Sequence, residues 1–114
     1  MTEPRLAANV SVAALRRQAE ALGAFAVVLR KGDATSGSIL LIRREKGQNP
    51  TLFERFPALA GAAEWVEKPY QTTDKEKEIS DFLARCAERD PDIWIIELDV
   101  PFVERFTDIL AAIA

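Results

Sequence analysis

The sequence predicts an α+β domain built on an antiparallel sheet of about five strands. Three observations lead there. Ile93 to Leu98 is β-branched, aromatic and almost wholly apolar, the composition of a central strand buried on both faces. Ile79, Phe82, Leu83, Cys86 and Ala87 recur at helical spacing, which marks an amphipathic helix just before that strand. Upstream, apolar runs alternate with short glycine- or proline-bearing turns, the pattern of consecutive hairpins. The expected order is helix, four-strand meander, helix, strand, helix, with the helices mainly on one face of the sheet.

The first helix is expected from Ser11 as N-cap to Gly23 as C-terminal stop, with Val12, Leu15, Ala19 and Leu22 inward. Phe25 to Lys31 and Ser38 to Arg44 read as a hairpin around Gly32-Asp33-Ala34-Thr35-Ser36-Gly37. A phosphate cradle needs a helix after its glycine loop, and here a strand follows. Glu45 to Asn49 is the next turn and Thr51 to Phe56 the third strand. Pro57 to Gly61 turns again, and Glu64 to Lys68 is the fourth strand. Thr73 with Glu76 fits a capping box for the second helix. Asp90 and Pro91 end that helix, because a proline disfavours helical geometry in the residue before it. Asp99, followed by Pro101, is expected to cap the last helix.

A length of 114 residues predicts one domain, 1–114, with 1–9 a tail and 100–114 the C-terminal helix. Cys86 is alone and there is no histidine. An internal disulfide, Cys/His zinc sites and histidine-based catalysis are therefore excluded. The net charge of −3 argues against nucleic acid, which needs a basic face. No secretory leader or membrane span is legible, so a cytoplasmic location is expected. No cofactor or metal is implied.

The hairpin register, with Lys31 opposite Ser38, gives two sheet faces. One carries Phe25, Val27, Leu29, Leu40 and Ile42 and is expected under the first and second helices, together with Trp94, Ile96 and Leu98. The other carries Ala26, Val28, Arg30, Ile39, Leu41 and Arg43, with Ile93, Ile95 and Glu97. A register slip of one residue reverses such an assignment. Glu97 is the one carboxylate inside the apolar strand, with Arg30 as its expected partner. Arg30, Asp33, Glu54, Arg55 and Glu97 are the candidate ligand-binding residues, since opposite charges rimming an apolar floor are typical of small-ligand sites. Catalytic residues are not indicated.

Val28-Leu29-Arg30-Lys31-Gly32-Asp33, Glu54-Arg55, Asp81-Phe82-Leu83-Ala84-Arg85 and Asp90 to Asp99 together resemble a small alphaproteobacterial family known only as a domain of unknown function. The resemblance spans about Leu6 to Phe106 and departs at Cys86, where arginine is usual, and in a longer apolar C-terminal helix. It implies a small bacterial cytoplasmic protein and brings no activity with it.

The function expected is thus a non-catalytic binding or protein-interaction module. It would be a homo-oligomer or would hold a protein partner, through the second sheet face or the C-terminal helix. The alternative is a small enzyme or ligand-binding domain with an Arg/Glu/Asp-lined pocket on one sheet face.

Overall fold

The structure, a computed structural model, describes residues 7–56 and 64–111. Three helices and five strands follow the order α1 (Ala8–Ala21), β1 (Phe25–Arg30), β2 (Ile39–Glu45), β3 (Gln48–Phe56), β4 (Glu64–Lys68), α2 (Lys75–Arg89), β5 (Trp94–Val100) and α3 (Glu104–Leu110). The fold is α+β, as the sequence predicts. The expected Pro57–Gly61 turn and the Ile113 end of the last helix lie outside the described residues.

The sheet order is β1-β5-β2-β3-β4. The expected β1–β2 hairpin does not form, because β5 lies between its two strands. β5 pairs antiparallel with β1 and parallel with β2, so the sheet is mixed and the meander is limited to β2, β3 and β4. The reason lies in the loop from Lys31 to Ser38. Asp33 N–H donates to the Asp92 carbonyl at 2.9 Å, and Trp94 N–H donates to the Ser38 carbonyl at 2.8 Å. Trp94 Nε1 donates to the Asp33 carbonyl at 2.7 Å, and Arg30 Nη2 to the Pro91 carbonyl at 3.1 Å. Asp33 Oδ2 accepts from Thr35 N–H, Ser36 N–H and Ser36 Oγ at 3.0, 2.8 and 3.0 Å, holding the loop open. Gly32 and Gly37 both press bare Cα atoms against the Asp92 carbonyl and the Trp94 ring. The loop is a wide seat for the start of β5, not a tight turn.

α1 and α3 cover one face of the sheet. Val12, Leu15 and Ala19 of α1 and Phe106 and Ile109 of α3 pack with Ile39, Leu41, Phe53, Trp94, Ile96, Leu98 and Val100. Among the described residues, α2 is the helix that covers the other face, setting Ile79, Phe82, Leu83 and Cys86 against Leu40, Ile42, Leu52, Ile93 and Ile95. The expected pairing of the first and second helices on one face is therefore corrected. The parallel β2–β5 register sets Ile39 beside Trp94 and Leu41 beside Ile96, so the odd-numbered residues of β2, not Leu40 and Ile42, join Trp94, Ile96 and Leu98.

Three helix ends also differ from expectation. α1 starts at Ala8, and Ser11 is buried inside it. α2 is capped by Asp74, whose carboxylate accepts from Lys77 N–H at 3.1 Å, not by Thr73. Asp99 does not cap α3; it accepts from Gly47 N–H at 3.0 Å, and Glu45 Oε2 accepts from Val103 N–H ahead of α3. Gly23 does end α1 as expected. Its φ of +78°, with Gly23 N–H donating to Glu20 and Ala24 N–H to Ala19, is the reciprocal C-terminal bonding in which glycine is favoured.

A Cβ at Gly32 would collide with the Asp92 backbone and lie 2.7 Å from Trp94 Cδ1. Gly32→Ala is expected to destabilise the fold by about 1–3 kcal/mol, the usual effect of overpacking. Urea denaturation checks this. A loss no larger than that of alanine at an exposed loop position such as Thr73 would contradict the seat.

Candidate functional site

The five residues singled out from the sequence are distributed over the sheet and its loop end. Arg30 and Asp33 belong to the β5 seat just described. Glu54 and Glu97 lie on the α2 face, Glu54 opposite Leu40 on β3 and Glu97 beside Ile42 on β5. They are two strands apart and offset along them, roughly 12 Å from pleated-sheet spacings. Arg55 is opposite Trp65, with its guanidinium 5.8 Å from that ring. Successive strand residues point to opposite faces, so Arg55 projects from the face opposite Glu54. No cavity is lined by these five together among the described residues.

Glu97 is held by Arg44 rather than Arg30. Arg44 Nε donates to Glu97 Oε1 at 2.6 Å. The two terminal nitrogens of Arg44 donate to both oxygens of Glu76 at 2.8 and 2.9 Å. This fork ties the first turn of α2 to the sheet in the bidentate geometry that arginine favours. The bond from Glu76 raises the Arg44 pKa despite partial burial, with Glu97 adding to it. The same bond holds the Glu76 carboxyl below its ordinary value. Tyr70, beside this cluster, is pushed up by burial and then by the Glu76 charge. Cys86 is half-buried in the α2 core, and burial raises its thiol pKa. That withholds the thiolate form a nucleophile needs. The charged cluster is a structural clamp between α2 and β5.

Beyond the clamp, the α2 face changes character. Ile93 and Ile95 are buried under α2, but on the neighbouring β1 the side chains of Phe25, Val27 and Leu29 are 74%, 50% and 49% exposed. Five strands at about 4.8 Å span roughly 20 Å, the width of two helices of about 10 Å diameter. Among the described residues, the α1/α3 face has two helices and the α2 face has one. β1 is also the end strand of the sheet. Contiguous exposed apolar side chains of this kind mark interaction surfaces. The sequence contained the signal, an unbroken apolar Phe25–Leu29, but the assumed hairpin placed those residues in the core. A shallow groove of about 150 Å³ along the outside of α2 is lined by Thr72, Asp74, Lys77, Glu78, Asp81 and Arg85.

Residues 6–108 match the family model described as protein of unknown function (DUF1491). The chain belongs to the DUF1491 family. It is similar to the crystal structure of a DUF1491 family protein from Caulobacter crescentus CB15, with 35% identity, a TM-score of 0.76 and 89% of this chain and 94% of that chain covered. An NMR structure of a DUF1491 family protein from the same organism gives 35% identity and a TM-score of 0.71, covering 86% and 88%. The solution structure of protein Atu0922 from A. tumefaciens gives 25% identity and a TM-score of 0.67, covering 85% and 87%. No curated protein matches.

The clamp makes a pH prediction for this DUF1491 protein. A carboxyl held below its ordinary value contributes stability that is present above that value, 4.5 for Glu76, and lost as pH falls through the lower folded value. Glu76→Gln should remove this share and flatten the loss of stability between about pH 5 and pH 3, while costing at most about 1 kcal/mol at pH 7 because Glu76 is exposed. Urea midpoints against pH measure it. An unchanged acid slope in the variant would contradict the clamp.

Proposed function

We propose that this chain is a non-catalytic protein-interaction module whose docking surface is the β1 side of the α2 sheet face. The single observation that carries the reading is the exposure of Phe25 and Val27, with Leu29 next to them, at the edge of a face whose central apolar residues Leu40, Ile42, Leu52, Ile93 and Ile95 are covered by α2. Leaving that much apolar surface in water is unfavourable at about 25 cal/mol per Å², and covering it supplies a driving force for association. Arg30, Asp33 and Glu97 are each drawn into a structural contact, Arg55 projects from the face opposite Glu54, and Glu54 lies roughly 12 Å from Glu97, which supports binding through this surface rather than through a pocket they share. The bacterial origin of the related structures and the single cysteine support action in a bacterial cytoplasm. Among the described residues no helix is long and apolar enough to cross a membrane.

A photo-reactive amino acid at Val27, in cells of the native host, should yield discrete protein adducts on irradiation, including adducts to the chain itself. The same group at Arg16, exposed on α1, should not. Equal adduct patterns at the two positions would overturn the reading.

A further inference from the structure

We infer that two copies of this chain pair edge to edge through β1, antiparallel about a two-fold axis near Val27, joining their sheets into one. The inference rests on the β1 docking surface proposed above and names its occupant as a second copy.

The free edge is the first ground. Among the described residues, β1 pairs with β5 and with no other strand. Among the described residues, no backbone bond outside that pairing engages Phe25–Arg30, so the outer row of amides and carbonyls is unpaired. Proteins blunt such edges with charges, proline or bulges. The opposite edge, β4, carries Glu67 and Lys68 in five residues. β1 has no charge or proline from Phe25 to Leu29; its register against β5 shifts at Leu29, between Val28 and Arg30, which leaves Phe25–Val28 as the regular part of the edge.

Self-complementarity is the second ground. Antiparallel pairing about Val27 sets Val27 opposite its own copy and Phe25 opposite Leu29. Both are apolar cross-strand pairs of the stabilising kind. The same axis carries the exposed Lys31 of each copy to the Gly23 end of the other β1, where α1 presents the exposed Glu20. Opposite charges thus meet twice, as a two-fold interface requires. The competing two-fold arrangement stacks the α2 faces. It would lay the charged back of α2, with exposed Glu88 and the Lys77–Asp81 ion pair, on Phe25 and Val27, which strips those charges of water against an apolar surface that offers them no further partner.

A pairing of six-residue strands is a small interface, so association in the micromolar range is expected. Cysteine trapping in a Cys86→Ser background tests the register. Antiparallel partners stand about 4.5–5.5 Å apart between Cα atoms, within disulfide reach. Val27→Cys should oxidise to a covalent dimer as the main product. Phe25→Cys and Leu29→Cys should each remain mostly monomeric alone and cross-link when mixed. Light scattering of the unaltered chain should show the mass doubling as concentration rises through the micromolar range. If Val27→Cys cross-links no faster than Arg16→Cys and the unaltered chain stays monomeric, self-pairing is overturned. Photo-adducts from Val27 to a different protein would then leave the docking reading standing, whereas their absence too would remove both.

Discussion

The seating of β5 on the glycine loop governs the rest of the molecule. Gly32 and Gly37 let the backbone at Asp92 and the ring of Trp94 approach closely, and Trp94 Nε1 fastens the ring to the Asp33 carbonyl. That contact starts β5 beside Ile39, in the slot a hairpin would have closed. Once β5 enters there, it becomes the most buried strand, with Ile96 and Leu98 fully excluded from water. β1 is pushed to the edge of the sheet. The exposure of the β1 side chains is therefore a consequence of a loop at the far end of the strand from Phe25.

The same insertion explains the charges. A parallel β5 puts Glu97 beside Ile42 and within reach of Arg44, two residues further along β2 and on the same face. Arg44 then has both a carboxylate in the sheet and one on α2, so the helix is anchored at its first turn by Glu76 and along its length by Ile79, Phe82 and Leu83. The anchor fixes α2 over β5, β2 and β3 and leaves β1 beyond its reach. Burial and ion pairing work together in setting where the covered face stops.

The elements of this fold were legible where their signal is local. The α2 stripe, the Gly23 stop and all five strands stand within a few residues of where periodicity and turn chemistry put them. What failed was non-local. Strand pairing between β1 and β5 joins residues some seventy positions apart in sequence, and no periodicity encodes it. The two glycines that suggested a hairpin serve a close approach whose other half, Asp92 and Trp94, is distant in the chain. Asp99 and Ser11 looked like caps because their residue types are right, yet tertiary contacts recruited one to Gly47 and buried the other. Of the candidate site, Glu97 was correctly marked as exceptional, but its partner followed from the wrong register. The blocks that carry the family resemblance around Arg30–Asp33 and Asp90–Trp94 are the two halves of the β5 seat, which gives their residue types a structural reason.

The central claim is that β1 is an open edge in the single chain. Residue-resolved amide hydrogen exchange measures this most directly. At high dilution, alternate amides of Phe25–Arg30 should exchange as solvated groups while those bonded to β5 are slow, and the fast ones should slow as concentration rises. Uniform slow exchange along β1 at the lowest concentration, matching that of β5, would show the edge already closed by the chain itself and would contradict the account.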